Sequence, residues 1–268
     1  MNSPTDLATA AAERILLRTD AQGIATLTLN RPKQYNALSE ELLNELQSML
    51  EQIEKDESVR VVVIAGNGAA FCAGHDLKQM RANPSKAYYQ KLFAQCSKMM
   101  LTLTRLPQPV IARVHGIATA AGCQLVASCD LAVASSDARF ATPGVNIGLF
   151  CSTPMVALSR NVSRKAAMEM LLLGEMTSAE HAKSLGLVNC VVESDRVVNE
   201  AMELGRKIAM KPKLTLKVGK EAFYRQLEMP LEEAYRYTSS VMVENMLDAE
   251  AEEGIGAFLD KRTPNWPR

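Results

Sequence analysis

Small residues with accessible backbone amides are the first feature of this sequence that suggests chemistry. They form the run GIATAAG at residues 116–122, which follows the β-branched stretch Val110–Val114 and precedes an apolar, helix-like stretch ending at Asp130. Small side chains let a ligand approach the main chain, and the first N–H groups of a helix have no acceptor within it, so an anion can bind them. The same pattern also suits tight packing of a helix on a strand, and taken alone it favours packing.

A second loop of the same character lies earlier in the chain. Residues 66–76, GNGAAFCAGHD, follow the nearly continuous β-branched run at residues 59–65. Both loops therefore follow β-rich runs and are rich in small residues. Within the second loop, His75 carries an imidazole that titrates near neutral pH, so it is a candidate general acid or base.

The elements that must position these loops follow an α/β pattern. Residues 59–65 and Val110–Val114 have the unbroken apolar character of strands covered on both faces, which predicts a parallel sheet. The remaining predictions are a hairpin over 15–30, a Ser39-capped helix over 39–56, a helix over 85–106, strands over 131–134, 139–141 and 187–192, and helices over 154–161, 164–173, 178–185, 197–210, 213–226 and 231–247.

The domain organisation expected from this order is an α/β core over residues 1–195 and a helical region over residues 196–268. The helices of the second region must bury their apolar faces, and another subunit is one candidate for the surface that covers them.

The composition limits the partners of the chain. Thirty Lys and Arg residues balance thirty Asp and Glu residues, so no overall field favours nucleic acid or an anionic membrane, and we expect neither as a partner. The chain has no long uncharged apolar run of the kind that spans a membrane. An anionic ligand would have to be held locally.

The cysteines and histidines indicate a reducing compartment and no metal. The six cysteines include no CxxC pair, so we predict reduced and mostly buried thiols, and the three dispersed histidines do not suggest a metal site. The first fifteen residues contain acids and lack a basic segment before an apolar one, so we predict neither a signal nor a transit peptide. The expected location is cytoplasmic, with the mitochondrial matrix as the alternative if a transit peptide precedes this sequence.

An ordered set of motifs makes the sequence similar to the crotonase superfamily, the enoyl-CoA hydratase/isomerase family. The motifs are NRP at 30–32, NAL at 36–38, AGHDL at 73–77, AGCQL at 121–125, CD at 129–130 and AFL…KR…P between 257 and 264. Within the family, GCQLVASCDLAVAS and FATPGVNIGLFCSTP resemble the enoyl-CoA hydratase domain-containing 3 group. The resemblance implies a crotonase-type α/β spiral of ββα units with a C-terminal helical trimerisation region, assembled as a homotrimer or a dimer of trimers.

The resemblance also implies an acyl-CoA substrate whose thioester oxygen lies between two backbone N–H groups. Position by position, these donors are His75 and Ala121, which would form an oxyanion hole for an enolate. Ala121 stands where the family usually has glycine, so the turn must accommodate a methyl group. The substrate carries CoA, and we expect no separate cofactor. The residues implied to contact CoA are Lys33, Ala37, Ala73, Asp76 and Leu77, with Phe258 and Lys261 from a neighbouring subunit.

The sequence departs from the family at the acid and base positions. The two glutamates that hydratases use on water and on the α-carbon are replaced by Gln124 and Gly144, and a third position, which is Asp in some relatives, holds Ser152. Conventional hydration therefore lacks its proton carriers. The alternatives are a malonyl-type decarboxylase or an enoyl-CoA isomerase acting through an enolate, or a catalytically inactive acyl-CoA-binding protein.

Several side chains near these positions admit two interpretations. The His75 imidazole could exchange protons, although we favour a role for its N–H alone. Gln124 could contact a substrate oxygen or be a satisfied amide on a helix face. Cys151 and Ser152 rank low as nucleophiles because no histidine adjoins them in sequence. We expect His115 to be a structural hydrogen-bonding residue.

Overall fold

Two sheets organise the computed structural model, which describes residues 14–266. Their strands are β1 (Leu16–Ala21), β2 (Ile24–Leu29), β3 (Val61–Gly66), β4 (Ala70–Cys72), β5 (Val110–Val114), β6 (Ile117–Thr119), β7 (Leu131–Ser135), β8 (Arg139–Ala141), β9 (Thr177–Ser178) and β10 (Cys190–Val192). The larger sheet has the order β1-β2-β3-β5-β7-β10, and the smaller has the order β4-β6-β8-β9.

The larger sheet begins with the predicted hairpin and continues as a parallel sheet. β1 and β2 pair in antiparallel fashion around Gln22 and Gly23, which both have positive φ, as a two-residue turn between twisted strands requires. The pairs β2–β3, β3–β5, β5–β7 and β7–β10 are parallel. Every residue of β3 is buried, in agreement with the prediction that its unbroken apolar run is covered on both faces.

Eleven α-helices connect and cover the strands over the described residues. They are α1 (Glu40–Glu54), α2 (Leu77–Ala82), α3 (Lys86–Arg105), α4 (Ala121–Ser128), α5 (Pro154–Asn161), α6 (Arg164–Leu173), α7 (Ala179–Leu185), α8 (Val197–Ala209), α9 (Lys213–Gln226), α10 (Leu231–Met246) and α11 (Ala249–Leu259). Ser39 caps α1 as predicted, since its hydroxyl accepts a hydrogen bond from the Leu42 N–H at 3.3 Å. None of these helices is both long enough and apolar enough to cross a bilayer.

A strand–strand–helix unit repeats along the chain. In each of the pairs β3–β4, β5–β6 and β7–β8, a strand of the larger sheet is followed by a strand of the smaller sheet and then by helices. The crotonase-type spiral expected from the resemblance is therefore confirmed. Its consequence for the site is that β4 and β6 are parallel neighbours, so the loops that follow them leave the small sheet side by side.

The second face of the larger sheet is covered by α8. Val197 and Ala201 pack with Ile24, Val61 and Ile111 in an apolar cluster separate from the main core. Gly205 allows close approach, because a Cβ atom there would lie 2.9 Å from Cδ1 of Ile24. A helix that lies beyond the predicted boundary at residue 195 thus forms part of the sheet's packing.

Some elements differ from the sequence prediction. β4 and β6 lie in segments predicted as loop and turn, α11 lies in a stretch for which we predicted no element, and the strand predicted over 187–192 is confined to Cys190–Val192. Leu187 and Val188 are buried, but outside the strand. β10 is a three-residue edge strand whose residues are half-buried. The apolar run over residues 187–192 therefore did not show that the strand begins only at Cys190.

A buried ion pair joins α9 to the core. The Lys220 ammonium lies 2.7 Å from the Asp130 carboxylate and donates to the carbonyl oxygens of Leu103 and Gln108. Asp130 also accepts from the Val110 N–H at 2.6 Å and the Tyr224 hydroxyl at 2.8 Å. Burial lowers the pKa of Lys220, although the Asp130 carboxylate opposes this change.

We expect Lys220→Met to destabilise the chain by about 3–5 kcal/mol, because it leaves the Asp130 carboxylate buried without its cation. Chemical denaturation at fixed protein concentration measures this change. Glu232→Gln is the control, since Glu232 and Arg236 form an exposed pair whose loss should have little effect. Equal effects of the two substitutions would contradict a structural role for the buried pair.

Candidate functional site

The two small-residue loops of the sequence lie in direct contact. Gly74 has a φ of +92°, and a Cβ atom there would lie 2.9 Å from Cβ of Ala120 and 3.1 Å from the Ala121 nitrogen. The Thr119 hydroxyl donates to the Ala73 carbonyl at 3.1 Å and holds the two loops together. Only glycine satisfies both the backbone conformation and the space at this position.

The first candidate donor, the His75 N–H, is left free by a short parallel bridge. The Leu38 N–H donates to the Gly74 carbonyl at 2.8 Å, and the Asp76 N–H donates to the Leu38 carbonyl at 3.2 Å. Because Leu38 bonds the residues on either side of His75, the His75 N–H points away from it. Within residues 14–266 this N–H has no acceptor.

The second candidate donor, the Ala121 N–H, stands at the first position of α4. The helix has no side-chain cap, so the Ala121 N–H lacks an acceptor in the described part of the chain. The preceding residue, Ala120, has φ 50° and ψ −119°, a conformation that strains any residue with a Cβ atom. It is held by bonds from its N–H to the Ala141 carbonyl at 2.9 Å and from the Gln124 N–H to its carbonyl at 3.0 Å.

The conformational demand of this turn therefore falls on a different residue from the one predicted. From the sequence we expected the strain at Ala121, because the family that the sequence resembles usually has glycine there. Ala121 is helical and accommodates its methyl group, whereas Ala120 carries the positive φ. Sequence alone gave no sign of this, because alanine is seldom found at such angles.

The glycines of the turn also serve packing, as the alternative interpretation of the sequence proposed. A Cβ atom at Gly122 would lie 2.0 Å from the Cys72 carbonyl oxygen, and one at Gly116 would lie 2.5 Å from the Ala69 carbonyl oxygen. α4 consequently lies directly against β4. This contact fixes the Ala121 N–H relative to the loop that carries His75, so packing and a ligand site are compatible at this turn.

An ion pair braces the loop that carries the His75 donor. The Arg31 guanidinium lies 3.0 Å from the Asp76 carboxylate and also donates to the Ala37 carbonyl at 2.5 Å. The Asp76 carboxylate caps α2 by accepting from the Gln79 N–H at 3.2 Å. Burial alone would raise the pKa of Asp76, but the hydrogen bonds from Arg31 and the Gln79 N–H hold that pKa below its ordinary value. The charged pair therefore persists at neutral pH and ties the residues before α1 to the residues before α2.

Asn36 fixes the other side of the same loop. This fully buried residue donates to the carbonyls of Asn67 and Ala70 and accepts from the Arg31 N–H at 2.9 Å. In the sequence, Arg31 and Asn36 belong to the motifs NRP and NAL, from which no role was predicted for either residue. Arg31 and Asn36 contact each other locally, but their partners Asp76, Asn67 and Ala70 lie between 31 and 45 residues away in sequence, so no local pattern signals the whole network.

Most residues implied to contact CoA are brought together around this network. Lys33 is exposed on a 3₁₀ turn over Pro32–Gln34, Ala37 accepts from Arg31, and the Ala73 N–H donates to the Tyr35 carbonyl at 3.0 Å. Asp76 and Leu77 follow at the start of α2, where Leu77 is half exposed. The Asp76 carboxylate is engaged by Arg31 and Gln79.

Phe258 and Lys261 lie elsewhere, at the end of α11. Phe258 is 81% exposed, and within residues 14–266 no hydrogen bond or ion pair joins either residue to the loop at residues 31–38. The single chain thus does not complete the set implied by the resemblance.

Two side chains beside the candidate donors have buried polar atoms without partners. Neither ring nitrogen of His75 nor Oε1 of Gln124 has a hydrogen-bond partner in the described residues. The His75 ring packs edge-on against Phe93, with 5.4 Å between centroids. Burial lowers the pKa of His75, although the Leu38 backbone opposes this change. His75 is therefore a neutral imidazole near pH 7. Oε1 of Gln124 has no partner among the described residues, and both interpretations of this amide stay predictions.

Gly144, which the resemblance matches to the second hydratase glutamate, has no room for a side chain. A Cβ atom on Gly144 would lie 2.7 Å from the Leu149 carbonyl oxygen and 2.9 Å from Sγ of Cys151. The Leu149 N–H donates back to the Gly144 carbonyl at 2.9 Å, which closes the loop around this glycine. Burial raises the pKa of the Cys151 thiol, which disfavours a nucleophilic thiolate.

The remaining predicted residues have structural surroundings. Nε2 of His115 lies 2.8 Å from the Gly68 carbonyl, so the expectation of a structural hydrogen bond is confirmed. All six cysteines are free thiols, and five are buried. No group of three or more metal-binding side chains lies together within the part of the chain that the structure describes.

Known proteins resemble this chain over most of its length. The family model for enoyl-CoA hydratase/isomerase matches residues 19–268. Enoyl-CoA hydratase domain-containing protein 3, mitochondrial, from Xenopus laevis is 48% identical over 91% of this chain and 83% of its own length. The human protein of that name is 47% identical over 91% of this chain and 80% of its own length.

Solved structures agree with the sequence comparisons. The crystal structure of an enoyl-CoA hydratase from Mycobacterium smegmatis has a TM-score of 0.93 and 58% identity, covering 95% of this chain and 99% of that one. Human enoyl-CoA hydratase domain-containing protein 3 has a TM-score of 0.91 and 46% identity, covering 94% of this chain and all of the other. The resemblance predicted from the motifs is confirmed.

Ala120→Gly is expected to raise the thermal unfolding midpoint. Glycine relieves backbone strain of about 1–3 kcal/mol, which exceeds its entropic cost of roughly 0.5–1 kcal/mol. Ala121→Gly is the matched control and should lower the midpoint, because Ala121 is helical. A lower midpoint for both variants would show that Ala120 is not strained.

Proposed function

The chain belongs to the enoyl-CoA hydratase/isomerase family, and on that premise we propose that it binds an acyl-CoA thioester between the N–H groups of His75 and Ala121. The observation that carries this proposal is the contact of two loops, each of which presents a backbone N–H without an acceptor in residues 14–266. A carbonyl oxygen that accepts from both groups gains negative charge when the thioester becomes an enolate. Fixed donors stabilise the charged enolate more than they stabilise the neutral thioester. Loss of one donor typically slows such reactions by a factor of about 10²–10³.

In this proposal, the nucleotide of CoA lies along the loop that carries His75, which the Arg31–Asp76 ion pair holds in place. Lys33 supplies a positive charge for a phosphate. The half-buried residues Ala37, Ala73 and Asp76 provide the surface on which the adenine and ribose bind. No cofactor beyond the substrate's own CoA is needed, because enolate stabilisation uses only the two N–H groups. The acidic Asp76 contributes by orienting Arg31 and the loop.

The reaction proceeds without the paired carboxylates of hydration. Gln124 has no acidic proton, and the Gly144 position has no space for a glutamate, because a Cβ atom there would meet the Leu149 carbonyl at 2.7 Å. Steps that depend mainly on a stabilised enolate remain accessible to the site. Water addition across a double bond does not, since it needs groups that accept and return protons.

Homo-oligomers complete the CoA site in this proposal. Large apolar residues on the C-terminal helices are strongly exposed in the single chain, among them Leu231 at 75%, Leu247 at 84% and Phe258 at 81%. Such a surface is typical of a subunit interface. A trimer, or a pair of trimers, brings Phe258 and Lys261 to a neighbour's Lys33, which accounts for their position outside the single-chain site.

The compartment proposed for the chain is a reducing one. The free thiols favour such a compartment, and the word mitochondrial in the names of the Xenopus and human relatives supports the matrix over the cytoplasm.

Gly74→Ala is expected to weaken crotonyl-CoA binding at least about tenfold, an increase of ~1.4 kcal/mol in binding free energy. The added methyl group separates the two loops that hold the donors. Calorimetry measures the affinity, and Gly23→Ala is the control, because Gly23 also has positive φ but lies in the β1–β2 turn. Absence of binding heat with the parent for acetyl-, crotonyl- and malonyl-type thioesters would remove the proposed function.

Gln124→Glu is expected to leave crotonyl-CoA hydration close to the parent rate, because it supplies only one of two proton-transferring groups. Loss of the conjugated enoyl absorbance follows the reaction, and Gln124→Met controls for the change of side chain. A gain of about 10²-fold or more would mean that one carboxylate suffices for hydration.

A further inference from the structure

A cleft rich in basic side chains opens where α1 and α3 end and α9 passes both of them. We call it the basic cleft. Its volume is about 420 Å³, which lies within the range of small-molecule sites. Its lining includes three cations, two carboxylates and a proline, namely Lys55, Arg105, Lys217, Glu54, Glu221 and Pro107.

The basic cleft lies at the far end of α1 from the His75 and Ala121 donors. α1 begins after its cap Ser39, next to the bridge between Leu38 and His75, and it ends beside Lys55. Its 15 residues span about 22 Å, at roughly 1.5 Å per residue. A ligand in the cleft and a thioester at the two donors therefore occupy different parts of the molecule.

The cations of the basic cleft are not neutralised by bound carboxylates. None of Lys55, Arg105 and Lys217 forms an ion pair within residues 14–266. Glu221 lies one turn after Lys217 on α9, yet no ion pair joins the two in the same part of the chain. Because three cations face two carboxylates, positive charge is in excess in this lining.

Helix ends explain only some of these cations. Lys55 and Arg105 lie at the C-terminal ends of α1 and α3, where the free carbonyl groups favour a positive charge. Lys213 and Lys217 lie at the start of α9, which is the positive end of that helix, and its first turn contains no acid. An anion bound in the cleft stabilises this second group.

A narrower inner pocket adjoins the basic cleft and shares Lys217 and Pro107 with it. Its volume of about 30 Å³ is enough for one small polar group. Arg60 and Lys213 also line the inner pocket and add positive charge, although Lys213 is paired with Glu57.

Gln108, on the wall of the inner pocket, has a buried acceptor without a donor. The residue is 4% exposed, its Nε2 donates to the Ile53 carbonyl at 2.8 Å, and its Oε1 has no hydrogen-bond partner in the described residues. Exchange of the two amide atoms would place Oε1 against the Ile53 carbonyl, so the hydrogen bond fixes the orientation. Such buried acceptors are few in native proteins, and this one indicates a ligand with a hydroxyl or N–H group.

We propose that the basic cleft and the inner pocket form a second ligand site, which binds a small phosphate monoester that carries a hydroxyl group. The phosphate has a charge of about −1.5 to −2 at pH 7 and binds between Lys55, Arg105 and Lys217. The hydroxyl enters the inner pocket and donates to Oε1 of Gln108. The charges of the whole chain balance, so this local excess of cations is what attracts the anion.

The experiment compares three probes with three carbon atoms by calorimetry on the full chain. They are glycerol 3-phosphate, propyl phosphate and glycerol, of which only the first has both a phosphate and free hydroxyls. Glycerol 3-phosphate is expected to bind at least about tenfold more tightly than propyl phosphate, because only it donates to Gln108. Glycerol is expected to give no binding heat, because it has no charge for the cations.

Substitutions test each group of the site with opposite signs. Lys217→Met should weaken binding of glycerol 3-phosphate at least about tenfold, whereas Glu221→Gln should strengthen it by removing a like charge. Lys165→Met is the matched control, since Lys165 is an exposed lysine in the first turn of α6 and does not line either cavity. Gln108→Met should reduce the preference for glycerol 3-phosphate over propyl phosphate to about twofold or less. If Gln108→Met does not fold, the two phosphates still test the same contact in the parent chain.

A titration in the presence of saturating crotonyl-CoA should give the same affinity for glycerol 3-phosphate. Displacement by crotonyl-CoA would assign the phosphate to the thioester site and overturn the inference. Absence of binding, equal binding of the two phosphates, or equal effects of Lys217→Met and Lys165→Met would also overturn it. The thioester proposal is tested separately by Gly74→Ala, so either proposal can fail alone.

Discussion

The contact between the backbone at Gly74 and the backbone at Ala120 and Ala121 is the constraint on which the rest of this structure depends. It forces glycine at position 74 and positive φ at Ala120, and it requires α4 to lie directly on β4 through Gly122. Each of these features is unfavourable or restrictive in isolation. Together with the Arg31–Asp76 ion pair, they hold two N–H groups in place before any ligand arrives, which is the condition for strong electrostatic stabilisation.

A site built from the main chain leaves its side chains free to vary. Under the proposed function, the His75 and Ala121 donors depend on backbone shape, so the identities of the surrounding side chains decide which acyl group enters and which step follows. At Gln124 the chain keeps a polar group but no acid, and at Gly144 the loop closes so tightly that no side chain fits. The absence of a side chain at position 144 is therefore required by the local packing.

The sequence predicted most long elements and missed most short strands, for physical reasons, although the short β8 was predicted with its correct bounds and the longer α11 was not predicted. β3 and β5 consist of unbroken β-branched runs, and α1 has apolar residues at helical spacing after a serine cap, so periodicity was sufficient. β4, β6 and β9 have only two or three residues, which is too short for any period to appear. In the site, the two backbone donors came from a family resemblance, whereas the Arg31–Asp76 brace and the strain at Ala120 arise from tertiary contacts that no local pattern encodes.

The position of α8 has a consequence for how the chain is made. Ile24, in the second strand, packs against Gly205 in α8, about 180 residues later, and long-range contacts of this kind slow folding. During synthesis, the apolar face formed by Ile24, Val61, Ile111 and Val133 stays uncovered until α8 has left the ribosome. The part of this face that has already been synthesised therefore stays exposed until α8 emerges, and the sheet reaches its final packing only then.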